Sequence, residues 1–269
     1  MSFLTKTSSK VRENSSAKVI AITGSCGKTS LKELIGMTLN KLCCVTYSRK
    51  SFNNKFGVPL SLFNLNPKDD FGVFEVGMDK KGEIDALTKI IKPEVGVITN
   101  ISYAHAKNFK NLKQVALAKS EIMNNIVSGG SIVLNADDIF YKFHRKRALK
   151  KKLKVYSFSI NKKNATVSLI SIKKEKSKFK VIINIDNQKK YFFISSNFEN
   201  NLKNLLAAIT VISIFKDIKT INKNIFYNYQ IPYGRGDFSK IKINRKNILL
   251  IDESYNSNPL SLKSSINNL

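Results

Sequence analysis

Residues 18–30 read Lys18-Val19-Ile20-Ala21-Ile22-Thr23-Gly24-Ser25-Cys26-Gly27-Lys28-Thr29-Ser30. The first six form a short apolar, β-branched run, the pattern of a buried strand. Gly24 to Gly27 reads as a turn, and from Lys28 to Leu42 apolar residues recur at helical spacing. Strand, glycine turn and helix in this order make a phosphate cradle. Glycines let backbone N–H groups approach phosphate oxygens, and the helix N-terminus adds a positive dipole. Lys28 is placed to reach β- and γ-phosphates, and the Thr29 hydroxyl to ligate Mg2+. Gly24, Ser25, Cys26, Gly27, Lys28, Thr29 and Ser30 are therefore candidate nucleotide-binding residues. The longer form of this loop has a further glycine where this chain has Ile22, so the loop is a shortened variant, T-G-[ST]-x-G-K-[TS].

Outward from the loop, strands and helices alternate. Strands are expected at 44–47, 71–76, 95–99, 131–135 and 154–159. Helices are expected at 56–65, 82–91, 112–126 and 138–150. This alternation predicts an α/β fold with a P-loop-type, mostly parallel, doubly wound sheet. The pattern then changes. Segments 165–172, 178–185 and 189–194 read as a small antiparallel β appendage with a hairpin turn at Asp186-Asn187. A helix at 201–214 follows, then a second hairpin at 239–243 and 247–251, and a helix from about Pro259. Residues 1–17 are rich in Ser and Lys and read as a flexible lead-in.

Composition narrows the classes. The chain has 269 residues, and 42% are hydrophobic, enough for a real core, so wholesale disorder is excluded. Lys and Arg total 46 against 19 Asp and Glu, a net charge of +27 that first suggests a polyanion partner. Forty of the basic residues are Lys and only six are Arg, the residue that reads phosphates and bases in bidentate fashion. The charge is therefore read as a lysine-rich background, with no dedicated nucleic-acid surface. Cys26, Cys43 and Cys44 show neither a CxxC pair nor zinc spacing, which fits a reducing cytoplasm. No stretch approaches 18 apolar residues, so no membrane span is expected.

Further candidates follow the loop. Glu75 ends the strand at 71–76, where a carboxylate at the C-terminal end of a parallel strand faces the ligand crevice. His105 lies just after the next strand, in Asn100-Ile101-Ser102-Tyr103-Ala104-His105. Asn135-Ala136-Asp137-Asp138 follows a third strand, where either Asp can also cap the next helix.

The shortened loop resembles that of the Mur ligases, the ATP-dependent amide-bond-forming enzymes of peptidoglycan synthesis. The resemblance runs from Lys18 over nearly the whole chain, with motifs in the family order. It implies that Glu75 holds Mg2+ between ATP and the acyl substrate, and that His105 binds a second Mg2+. Ala118-Lys119-Ser120-Glu121-Ile122 resembles the family's A-K-x-E-I, whose Lys is carbamylated in several members. Lys119 would thereby become a carboxylate-like metal ligand. Asn135 and Asp137 stand where the adenine end of ATP is expected. Asn53-Asn54-Lys55-Phe56-Gly57-Val58-Pro59-Leu60 resembles the stretch that meets the UDP-muramoyl substrate, which makes Asn53 and Asn54 substrate candidates. Asp252-Glu253-Ser254-Tyr255-Asn256-Ser257-Asn258-Pro259 closely matches the signature of the D-alanyl-D-alanine-adding branch. Tyr255 and Asn256 are thus further substrate candidates, and Glu253, where that branch has Asp, is assigned to the ATP ribose. In Gly234-Arg235-Gly236, Arg235 would reach the nucleotide phosphates. Asn204 remains from a helix-start motif whose Gly and His are replaced by Phe198 and Asn200.

The implied reaction transfers phosphate from ATP to the terminal carboxylate of UDP-muramoyl-tripeptide, and the D-Ala-D-Ala amine then displaces it. Lys28, Glu75, His105 and Lys119 are the catalytic candidates, and Thr29, Glu75, His105 and Lys119 the ligands of two Mg2+ ions. The resemblance divides the chain into the lead-in, a central ATP-binding domain at 18–233, and the start of a C-terminal ligase domain at 234–269. A monomer is expected. Competing readings are another ligase of the superfamily, a nucleotide-binding fragment without turnover, and a polyanion-binding protein.

Overall fold

A computed structural model describes residues 3–103, 108–195, 201–244, 246–255 and 266, with Asp237 and Phe238 as backbone only. The strands are β1 (Lys18–Thr23), β2 (Val45–Tyr47), β3 (Phe71–Glu75), β4 (Val95–Ile98), β5 (Ser131–Asn135), β6 (Lys154–Ser159), β7 (Val167–Glu175), β8 (Lys178–Ile185), β9 (Gln188–Ser195), β10 (Asp237–Ile243) and β11 (Lys246–Asp252). The helices are α1 (Phe3–Glu13), α2 (Lys28–Leu39), α3 (Gly57–Leu62), α4 (Glu83–Ile91), α5 (Leu112–Lys119), α6 (Tyr141–Lys150) and α7 (Leu202–Phe215).

Nine strands form one sheet in the order β2-β3-β1-β4-β5-β6-β7-β8-β9. Pairing is parallel from β2 to β7, and β8 and β9 join antiparallel. β1 is buried on both faces because successive side chains point to opposite sides. Ile20 and Ile22 enter the core shared with α2 and α7, whereas Val19 and Ala21 enter the core on the opposite face. β1 lies between β3 and β4, with Ile22 opposite Glu75 and Thr23 opposite Ile98. The chain winds to one side of β1 and then to the other, and such a switch point opens a crevice at the C-terminal strand ends.

Three expectations change, and one is refined. Residues 3–13 form α1 instead of a flexible lead-in. The Thr7, Ser8 and Ser9 hydroxyls bond back to carbonyls within the helix, so its polar side chains do not compete with it. Arg12 anchors the helix by donating to the carbonyls of Ile91 and Lys92 and to both Glu94 oxygens. The antiparallel segments form as expected, and they are continuous with the main sheet. β7 pairs with β6 through Phe158–Val167 and Ser159–Ser168, and so extends the main sheet. The helix from Leu112 stops at Lys119 and tightens into a 3-10 turn, Ser120–Asn124. α6 begins at Tyr141 because the Asp137 and Asp138 carboxylates are used on loop N–H groups. The hairpin turn at Asp186-Asn187 is as expected, with φ of 47° and 61°. β10 and β11 make a separate hairpin. The helix expected from Pro259 lies outside the described residues.

Candidate nucleotide and metal site

The turn after β1 needs its glycines. Gly24 has φ 147°, and a Cβ there would lie 1.8 Å from Thr99 Oγ1. Gly27 has φ 80° and lies against Asn204, whose Oδ1 a Cβ would meet at 2.9 Å. The loop is tied to the end of β4 by its own polar groups. Ser25 N–H donates to Asn100 O and Cys26 N–H to Asn100 Oδ1, each at 3.0 Å. Thr99 Oγ1 donates to Cys26 O at 2.7 Å, and Ser25 Oγ accepts from Ser102 N–H at 2.9 Å. The side-chain hydroxyl of Ser25 thus braces the cradle.

Lys28 and Lys119 converge on the loop from two helices. Lys28 Nζ donates to Gly24 O at 3.0 Å, and Lys119 Nζ to the same oxygen at 2.9 Å. Lys119 is only 2% exposed. Its burial, reinforced by the Lys28 charge, holds its pKa well below the usual lysine range, against the opposing pull of Cys26 and Glu75.

Glu75 is 1% exposed. Its Oε2 accepts from Thr29 Oγ1 at 2.6 Å and its Oε1 from Asn53 Nδ2 at 2.7 Å. Among the described residues it makes no ion pair. A buried carboxylate held by two neutral donors, beside a phosphate loop, fits a hard divalent cation. Among the described residues no three His, Cys, Asp or Glu side chains gather as a cage.

The sequence pattern of the family described as Mur ligase middle domain matches residues 22–212. The chain belongs to the Mur ligase family. It is 36% identical over 263 residues to the UDP-N-acetylmuramoyl-tripeptide--D-alanyl-D-alanine ligase of Buchnera aphidicola subsp. Baizongia pistaciae, covering 96% of this chain and 55% of that protein. The solved structure of MurF from Acinetobacter baumannii superposes with a TM-score of 0.87 at 29% identity, covering 98% of this chain and 56% of that one. The ADP complex of MurF ligase from Thermotoga maritima shares the fold, with a TM-score of 0.84 at 22% identity. The chain spans about half the length of the curated relatives it matches.

Within this Mur ligase chain the other predicted residues fall into three groups. Arg235 and Tyr255 reach the site. The guanidinium stacks 4.0 Å from the centroid of the Tyr255 ring, and both donate to Ser51 Oγ, at 3.2 and 2.6 Å. Glu253 lies against Gly236, where a Cβ would meet its Oε1 at 3.0 Å. A second group is used in bracing. Asn54 Oδ1 accepts the Phe56 and Gly57 N–H groups at the start of α3. Asn135 joins Thr99 O to the Asp137 N–H. Asp137 accepts from Ser159 Oγ and the Ile160 N–H, and Asp138 accepts from the Ile101 and Phe140 N–H groups. The two aspartates hold loops and do not cap α6. His105 and Asn256 lie outside the described residues.

Three further residues support the site; Ser51 and Lys32 belong to no motif quoted above, and Glu121 is the Glu of the A-K-x-E-I stretch. Ser51 joins Thr29 Oγ1, 3.3 Å away, to Arg235 and Tyr255. Lys32 is wholly buried beneath the 48–51 turn. Glu121 accepts the Gly82 N–H on both oxygens and the Asp85 N–H at the start of α4, and its burial pushes its carboxyl up.

Proposed function

We propose that the chain carries the ATP-binding part of an ATP-dependent ligase that adds D-Ala-D-Ala to UDP-N-acetylmuramoyl-tripeptide. What carries the reading is the Thr29 hydroxyl on the buried Glu75 carboxylate, directly after a phosphate loop. The 36% identity to a ligase of that name supports the substrate assignment. Gly24 to Ser30 would hold the nucleotide phosphates, with Lys28 supplying positive charge to the β- and γ-phosphates. Thr29 and Glu75 would hold one Mg2+, and His105 with a carbamylated Lys119 a second. Mg2+ held there would supply positive charge against the phosphate oxygens of the nucleotide. The tripeptide carboxylate takes the γ-phosphoryl group to give an acyl phosphate and ADP. The D-Ala-D-Ala amine then attacks the carbonyl carbon, phosphate leaves, and the amine gives up a proton.

The stacked Arg235 and Tyr255 support a division in which residues 234–269 begin a segment that closes over residues 18–233. The excess of lysine over arginine supports reading +27 as background charge.

Phosphate release from ATP is measured with UDP-muramoyl-tripeptide, with D-Ala-D-Ala, and with both, alongside direct ADP binding. Release that needs both substrates supports the reading. Release with a different amine reassigns the substrate, and ADP binding without turnover restricts the chain to nucleotide binding.

A further inference from the structure

The turn that precedes Asn53 is held by a lysine the phosphate chemistry does not use. Lys32 lies on α2, one helical turn beyond Lys28, and its side chain is fully buried. Its Nζ donates to Ser48 O, to Lys50 O at 2.8 Å and to Glu33 Oε1 at 2.6 Å, and lies 5.9 Å from the centroid of the Tyr47 ring. Three ammonium protons meet three acceptors, so the buried charge is satisfied. Two of those acceptors are backbone carbonyls of one turn. Lys50 has φ 47°, a conformation that non-glycine residues keep only when their surroundings fix it. The Lys32 ammonium on the Lys50 carbonyl supplies that fixing.

What the turn carries gives the anchor a purpose. Ser51 Oγ stands 3.3 Å from Thr29 Oγ1 and receives Arg235 and Tyr255 from the far end of the chain. Two residues on, Asn53 Nδ2 holds Glu75 Oε1. Both side chains of the Thr29–Glu75 pair are therefore flanked by the turn that Lys32 fixes, and all of it hangs from the helix that begins at the phosphate loop.

We propose that Lys32 is a positioning residue, whose buried ammonium fixes the 48–53 turn so that Ser51 and Asn53 set Thr29 and Glu75 for a divalent cation and receive Arg235 and Tyr255. The inference rests on the nucleotide and Mg2+ reading of the site. A lysine that served stability alone would leave the metal-dependent part of nucleotide binding unchanged.

The test is calorimetric titration of the 269-residue chain with ADP, once with Mg2+ and once with EDTA, for the unsubstituted protein, Lys32→Met and Ser51→Ala. The ratio of the two affinities reports the metal-dependent part. Lys32→Met is expected to lower this ratio about tenfold, the size typical for partners that orient metal ligands, with little change in EDTA. Ser51→Ala is expected to lower it as well, at a half-buried position where folding is not at stake. Amide exchange in residues 48–53 should quicken in Lys32→Met while that of β1 does not. An unchanged ratio in folded Lys32→Met overturns the inference. If Lys32→Met does not fold, the Ser51→Ala ratio decides in the same way. Failure of the unsubstituted chain to bind ADP overturns the functional reading and this inference with it, so the two failures are told apart by the control.

Discussion

Lys28 and Lys119 donate to a single oxygen, the carbonyl of Gly24, at 3.0 and 2.9 Å. Two lysines on one acceptor, one of them fully buried, cannot both carry charge cheaply. The cost falls on Lys119, whose pKa is held well below the usual lysine range by burial first and by Lys28 second. A neutral amine is the form that attacks CO2, giving a carbamate and a released proton. The expected result is a carbamate carbonyl signal in carbon-13 NMR under labelled CO2, present in the unsubstituted chain and absent from Lys119→Met. The same spectrum from both would remove the carbamate from the site.

The same shift fixes a pH dependence. The folded pKa of Lys119 lies below its unfolded value, so between the two the unfolded chain binds one more proton and stability rises with pH. In CO2-free buffer, the stability of the unsubstituted chain relative to Lys119→Met should increase with pH through the range that ends at the ordinary lysine value. The limiting slope is about 1.4 kcal/mol per pH unit. Urea unfolding at several pH values measures it, and parallel curves for the two proteins would refute the buried-lysine account.

These lysines show how far the sequence could be read. Strands β1, β5, β6 and β8 span the residues expected of them; β1 and β5 are buried along nearly their whole length and read as apolar runs, whereas β8 alternates buried and half-buried positions at the two-residue strand period. The phosphate loop was equally legible, since its glycines, Lys28 and Thr29 act within a few residues of each other. Lys32 was hidden among forty lysines, and nothing local marks the one that is buried. Ser51 gains its role from Arg235 and Tyr255, partners more than 180 residues away in the chain. α1 was misread for the same reason, because Glu94, which receives Arg12, lies 82 positions further on.

Glu75 is held by Thr29 and Asn53 without an ion pair among the described residues, so its charge is available to a cation. Glu75→Gln keeps the shape and removes the charge. ADP affinity with Mg2+ should fall by about tenfold or more, and affinity in EDTA should stay close to that of the unsubstituted chain. Adding EDTA to the unsubstituted chain should reproduce the weaker affinity of the variant. A variant that still gains affinity from Mg2+ would place the cation elsewhere.

Gly24 and Gly82 both have positive φ, 147° and 90°, but differ in their surroundings. A Cβ at Gly24 would lie 1.8 Å from Thr99 Oγ1, whereas at Gly82 it would meet nothing within 4 Å. Gly82→Ala should therefore cost only the backbone term, about 1 kcal/mol. Gly24→Ala adds a clash that the loop must relieve by moving, and should cost about 2 kcal/mol or more. It should also abolish ADP binding, which Gly82→Ala should keep. Unfolding curves and ADP titration of both variants check the ordering, and equal costs would deny the close approach of the loop to β4.

Arg12 makes α1 part of the fold. Its guanidinium donates to the carbonyls of Ile91 and Lys92 and to both oxygens of Glu94, which in turn accepts the β1 N–H of Val19. The Arg12 side chain is 8% exposed and that of Glu94 is 30% exposed, so the pair is partly screened by water. Arg12→Met keeps much of the apolar stem and removes the guanidinium from the Glu94 carboxylate and from four carbonyls, those of Ser15, Ala17, Ile91 and Lys92. The expected loss is about 2–3 kcal/mol in urea unfolding. Amide exchange should quicken first in residues 3–13, because α1 loses its anchor before the sheet is disturbed. Unchanged stability with unchanged exchange in α1 would mean that the helix is held by its apolar contacts and that the ion pair is incidental.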